Sequence, residues 1–194
     1  MLYGRREKFS GIEEKLGRLF RFMSPNRLTM MTLIPALLTF YLLVQKYFFA
    51  AGVMLLITFL FDVIDGSVAR FAKKETRFGA YLDTVVDRYV EFIIILGLLF
   101  VNPPMMIFPS YVWIILLLFG SLMTTYVKSA AIEKKMVKNL TGGIERAERG
   151  IILFFGIVFA GYQEIFLTYV IIILAILTNL SAISKFFIAS RIRC

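Results

Sequence analysis

Histidine is absent from the 194 residues, and cysteine occurs once, as Cys194. A Ser-His-Asp triad and a His-ligated zinc are therefore excluded, and a lone thiol offers no disulfide framework. Acidic side chains are scarce as well, 13 against 22 Lys and Arg, which leaves a net charge of +9. Any acid–base chemistry falls to those few carboxylates, to lysine or tyrosine, or to bound water. Ser/Pro-rich linkers, low-complexity tracts and obvious repeats are also missing, so a single domain over residues 1–194 is expected.

Apolar residues are abundant, at 59% of the chain, and occur in runs long enough to cross a bilayer. The pattern predicts an all-α integral membrane protein, because an unpaired strand edge is not tolerated in lipid. Six transmembrane helices are expected, near 28–45, 47–72, 77–101, 109–132, 147–163 and 165–188, within a core of residues 28–190. Residues 1–27 precede them as a cytoplasmic, interfacial segment. There Ile12, Leu16, Leu19, Phe20 and Met23 recur at helical spacing behind a Ser10/Glu13 capping box, predicting an amphipathic helix on the membrane surface, with an ordinary helix packed on the spans as the alternative.

Cations mark the topology. Seven lie in residues 1–27, five between Arg70 and Arg88, six between Lys128 and Arg149, and three at Lys185, Arg191 and Arg193, with Lys46 alone elsewhere. The positive-inside rule then places both termini in the cytoplasm of a multi-pass cell-membrane protein. Anionic lipid headgroups account for the net charge, and nucleic acid is not expected as a partner.

Against this background Asp62, Asp65, Asp83 and Asp87 stand out, four carboxylates within 26 residues at the cytoplasmic ends of the second and third spans. At 100° per residue Asp62, Asp65, Gly66 and Ala69 share one helix face, while Gly79, Asp83 and Asp87 stack at intervals of four on the next. Four anions brought together need counter-charge, and all-oxygen ligation suits Mg²⁺, Mn²⁺ or Ca²⁺; four carboxylates can hold two such ions. Small residues at 66, 67, 69 and 79 let a bulky ligand approach the helices, and Arg70 offers a fork for phosphate, which together suggest a diphosphate. The structural alternative is close helix packing, with the acids paired to Arg70, Arg77 and Arg88.

The stretch "DVIDGSVARFAKKETRFGAYLDTVVD" resembles the signature of CDP-alcohol phosphotransferases, D-x-x-D-G-x-x-A-R-x8-G-x3-D-x3-D, at all eight fixed positions. The "SPNRLT" segment at 24–29 and the six-span layout extend the resemblance over nearly the whole chain. It implies two divalent cations, Mg²⁺ or Mn²⁺, on Asp62, Asp65, Asp83 and Asp87, with Asp87 as the catalytic base. It also implies a CDP site formed by Asp62, Gly66, Ala69, Arg70 and Gly79, a cytoplasmic active site, and a homodimer.

A second polar stretch, "TTYVKSAAIEKKMVKNLTGGIERAERGIIL", sets Lys128 at the end of the fourth span and Arg146 and Arg149 one turn apart at the start of the fifth, which suits a phosphate. Interfacial anchoring, with pairing to Glu145 and Glu148, is the alternative. The stretch is similar to the corresponding region of archaeal and actinobacterial members that use inositol phosphate, although Gly150 replaces a larger apolar residue. That likeness implies that Lys128, Arg146 and Arg149 bind the acceptor's phosphate. The expected activity is transfer of a phosphatidyl-type group from a CDP-alcohol, a CDP-lipid, to inositol 1-phosphate with release of CMP. Glycerol 3-phosphate is the alternative acceptor. A divalent-cation carrier is the alternative of another class, disfavoured because no acid lies in the apolar centres of the spans.

Overall fold

The computed structural model describes residues 23–71, 76–137, 140 and 142–191. The amphipathic helix expected within residues 10–23 falls almost wholly outside them. Seven helices occur among the described residues: α1 (Pro25–Met31), α2 (Leu33–Val44), α3 (Phe48–Phe71), α4 (Arg77–Val101), α5 (Ser110–Glu133), α6 (Arg146–Ala160) and α7 (Ile165–Arg191).

The first expected span is two helices. Pro35 has no N–H to give the Met31 carbonyl, and its ring crowds that oxygen, so the helix is interrupted at Thr32 and resumes as α2. Pro25 occupies the first turn of α1, where its missing N–H costs nothing, and the Ser24 carbonyl accepts the N–H groups of Arg27 and Leu28. Among the described residues four stretches are long and apolar enough to cross a membrane: Pro25–Val44, α3, α5 and α7. The other two expected spans fall short of that measure. α4 carries Asp83, Asp87, Arg88 and Glu91 within its first 15 residues, and α6 has 15 residues, about 22 Å against a hydrocarbon core of about 30 Å.

Burial follows lipid rather than water. α7 buries Leu167, Thr168, Ile171 and Leu174 in its first half, but from Ala175 onward its buried residues are Ala175, Thr178, Ser181, Ala182, Lys185 and Ala189, while Phe166, Ile173, Ile176, Ile183, Phe186 and Phe187 are exposed. Small and hydroxylated residues let helices approach closely and hydrogen-bond, while large apolar ones face the acyl chains. Asn179 shows the hydrogen bonding, donating from Nδ2 to the Leu116 carbonyl of α5 at 2.9 Å.

The helices form two compact units. One comprises residues up to Tyr41 with Val53–Ile94; the other comprises Leu42–Gly52 with Ile95–Cys194. In the first, Leu28 of α1 packs with Ile64 and Val68 of α3, and Met23 closes over them. In the second, Ala131 of α5, Leu140 and Ala189 of α7 pack with Val127 and Val137.

Candidate active site

Within the first unit, α1, α3 and α4 enclose a cavity of about 440 Å³. All eight residues of the sequence signature line it: Asp62, Asp65, Gly66, Ala69 and Arg70 from α3, and Gly79, Asp83 and Asp87 from α4. One carboxylate oxygen from each of Asp62, Asp83 and Asp87 lies within 4.8 Å of the others. That spacing suits a hard cation, whose oxygen ligands sit about 2.0–2.6 Å from it. Asp65 is 5% exposed, and its Oδ2 has no hydrogen-bond partner. A buried carboxylate oxygen left in that state is costly unless a ligand takes it up. The donor set is all oxygen and anionic, so the residues fit Mg²⁺ or Mn²⁺.

The two glycines are less bare than the sequence suggests. A side chain at Gly66 would meet Nη1 of Arg70 at 3.3 Å, so the guanidinium folds back over that position. At Gly79 an added Cβ would lie 3.1 Å from Asn26 Oδ1 and 3.1 Å from Thr76 Oγ1. Glycine there brings two polar side chains to the wall of the cavity. Thr76 also caps α4, its Oγ1 accepting the Gly79 N–H at 2.9 Å. Of the arginines weighed as partners for the acids, Arg88 donates to Glu91 Oε2 at 2.6 Å.

Three polar lining residues, Asn26, Thr29 and Thr76, were not singled out by sequence reasoning. Asn26 and Thr29 belong to the "SPNRLT" segment, whose part in the family resemblance was the available signal. Thr76 was readable as a helix cap, with an N–H three residues on to receive.

The second unit contains the other expected cations. Lys128 and Arg146 are half-buried, and Arg149 is 6% exposed. Arg149 Nη1 approaches Thr124 Oγ1 at 3.5 Å and the Ile144 carbonyl at 3.4 Å. Thr124 lies one turn before Lys128 on α5, so Arg149 is drawn toward the helix that carries that lysine. A further cation, Lys185 of α7, is 1% exposed, and its Nζ donates to Glu145 Oε1 at 3.2 Å. Sequence reasoning had counted Lys185 only as a topological marker. Glu145 immediately precedes α6, and its N–H donates to Glu148 Oε2 at 3.1 Å. Just before it, Gly143 takes φ 71° with its backbone against Ser181 of α7, leaving no room for a side chain. The glycine turn, Arg149 and Lys185 thus knit α5, the start of α6 and α7 together with polar groups.

Apolar helices around a cavity of four carboxylates and an arginine define a membrane protein suited to divalent-cation and diphosphate chemistry. The chain belongs to the CDP-alcohol phosphatidyltransferase family, whose profile matches residues 22–187. It is 34% identical over 171 residues to the bifunctional IPC transferase and DIPP synthase of Aquifex aeolicus, covering 82% of this chain and 37% of that protein. It is 36% identical over 126 residues to the archaetidylinositol phosphate synthase of Methanothermobacter thermautotrophicus, covering 64% and 61%. The chain therefore spans less than two thirds of the length of either relative. Among solved structures, phosphatidylinositol phosphate synthase of Mycobacterium tuberculosis with CDP-DAG bound superposes with a TM-score of 0.82 at 24% identity, over 92% of this chain and 93% of that one. The same enzyme in complex with manganese and citrate gives 0.81 at 25% identity, over 93% and 88%.

Proposed function

We propose that this protein transfers a phosphatidyl-type group from a CDP-lipid to inositol 1-phosphate and releases CMP. The carrying observation is the convergence of all eight signature residues on one cavity, with Asp62, Asp83 and Asp87 presenting oxygens within 4.8 Å of one another. Asp62, Asp65, Asp83 and Asp87 would hold two divalent cations, which when bound would neutralise charge at the donor's diphosphate and at the departing CMP. Arg70, beside Gly66, engages the diphosphate by its planar fork. Asn26 and Thr76 offer hydrogen bonds to the nucleotide beside Gly79. The acceptor hydroxyl attacks the phosphorus that carries the lipid alcohol, and the bond from that phosphorus to the bridging oxygen of CMP breaks. Asp87 receives the hydroxyl proton.

The acceptor assignment is supported by cations of the second unit and by the names of the relatives. Lys128, Arg146 and Arg149 bind the phosphate of inositol 1-phosphate in this reading, while buried Lys185 is paired with Glu145. The active site and both termini face the cytoplasm, following the cation distribution, and the protein works as a homodimer in the cell membrane. Glycerol 3-phosphate remains the competing acceptor, because the same cations bind any phosphomonoester.

The test is CMP release by purified protein with Mg²⁺ or Mn²⁺, across donors and acceptors offered singly and in pairs. Release with CDP-lipid and inositol 1-phosphate together, and with neither alone, supports the reading. Preference for glycerol 3-phosphate reassigns the acceptor. CDP-alcohols with and without lipid chains are offered as donors. No CMP from any pair, with cation flux across liposomes, overturns the transferase reading in favour of a carrier.

A further inference from the structure

The connection at 102–109 in the second unit carries an unusual backbone. Ile107 has φ 61°, a region that β-branched residues rarely enter. The Phe108 N–H closes on the Met106 carbonyl at 2.6 Å, which makes a three-residue γ-turn of the rare, strained hand. Side chains from two helices hold it there. Trp113 Nε1 of α5 donates to the Met106 carbonyl at 3.1 Å, and Thr168 Oγ1 of α7 donates to the Pro104 carbonyl at 2.9 Å. Ser110 Oγ, at the start of α5, donates to Asn102 Oδ1 at 3.0 Å.

What this scaffold displays is apolar. Met105 is 71% exposed and Ile107 74%, and Phe108 is half exposed beside the Trp113 ring, at 5.9 Å between centroids. Asparagine or glycine would take a positive φ at 107 with less strain, so an isoleucine there is explained by what its side chain meets rather than by the turn. No charged residue occurs between Glu91 and Lys128, so the loop has no ionic group to keep in water. α5, which begins at Ser110, is among the helices apolar enough to cross a membrane, so the exposed tip is continuous with a lipid-facing surface. Tyr47 and Tyr162, in the other two short connections of this unit, are exposed as well, as aromatic residues at a membrane boundary are.

We propose that residues 103–108 form a rigid, uncharged anchor that seats Met105, Ile107 and Phe108 in the headgroup–acyl boundary of the bilayer where α5 enters it. The occupant of this surface is lipid. The strained turn keeps the three side chains outward without an ordering cost on contact with the membrane, because the hydrogen bonds from Trp113 and Thr168 already fix their direction.

Trp113 is the sole tryptophan and reports on the loop without labelling. The full chain is reconstituted at low protein density in phosphatidylcholine vesicles brominated either near the headgroup or near the chain end, and acrylamide serves as the aqueous quencher. Shallow bromines should quench Trp113 emission roughly twofold and more than deep ones, with acrylamide ineffective, as for an interfacial indole. Ile107→Asn and Ile107→Gly, which accept the positive φ, should keep the detergent melting temperature at or above the parent's. In vesicles, both should lower the bromolipid quenching and open Trp113 to acrylamide. Parental quenching patterns in both variants would overturn the proposal, as would free acrylamide access in the parent. Bromolipid quenching that disappears as protein density rises would show a second copy, not lipid, on this surface.

Discussion

Placing a methyl group on Gly79 sets opposing effects of similar size against each other. The new Cβ would lie 3.1 Å from both Asn26 Oδ1 and Thr76 Oγ1, so both polar groups must give way by a few tenths of an ångström. Thr76 also caps α4 through the Gly79 N–H, and loss of such a cap costs about 0.5–2 kcal/mol. Alanine returns up to about 1 kcal/mol of helix propensity. Stability of Gly79→Ala should therefore move by no more than about 1 kcal/mol either way, since the cap is shifted rather than removed. Nucleotide affinity has no such compensation. If Asn26 and Thr76 each give the nucleotide one hydrogen bond of about 0.5–1.5 kcal/mol, misplacing both weakens binding roughly 5- to 150-fold. Gly79→Leu fills more of the 440 Å³ cavity and should abolish measurable binding. The assay is calorimetric titration of CMP and CDP into detergent-purified parent and variants, with melting temperatures measured alongside. Parental nucleotide affinity together with a clear loss of stability would refute the reasoning and return Gly79 to helix packing.

Asp62→Asn and Asp83→Asn each remove an anionic oxygen while keeping side-chain size; both should abolish transfer and weaken Mn²⁺ binding, and unchanged metal titrations would exclude a ligand role. Arg146→Gln and Arg149→Gln should raise the acceptor KM roughly 10- to 150-fold through loss of charge-assisted bonds, with donor KM level. Lys128→Gln should behave more mildly, because a point charge replaces a fork; a rise in donor KM instead would move these cations to the CDP-lipid site. Glu145→Gln leaves the buried Lys185 ammonium without its anionic partner and should cost about 1–3 kcal/mol in unfolding assays. The loss stays below that of a fully buried pair because the Glu145 side chain is 48% exposed.

The helices and the aspartates were legible because both depend on local spacing. An apolar run announces itself, and four acids at helical intervals share faces whatever the tertiary structure does. Asn26 and Thr29 were harder to read as wall residues, because they reach the cavity only through the packing of Leu28 on Ile64 and Val68. Lys185 looked like one more basic residue near the end of a span; only the seating of α7 shows it buried against Glu145. The space over Gly66 read as open, and a long-range view was not needed to correct it: Arg70, four residues on, is near enough to fold back. The turn at Ile107 ran against local propensity altogether, since nothing in a β-branched side chain signals a positive φ.

The inverted burial of α7 from Ala175 onward changes what tolerance to substitution means for that part of the chain. In a water-soluble protein the interior demands bulk and the exterior accepts polarity. Here Ile173, Ile176, Ile183, Phe186 and Phe187 face outward and are interchangeable among large apolar residues, since a lipid chain adapts to any of them. Ala175, Thr178, Ser181 and Ala182 are buried between helices, Thr178 against Gly120 and Ser181 against Gly143, and are held to small size there. Sequence drift should therefore run freely through leucine, isoleucine and phenylalanine on the outside while the small positions stay fixed, so that the variable face is the greasier one and the constant face the more polar.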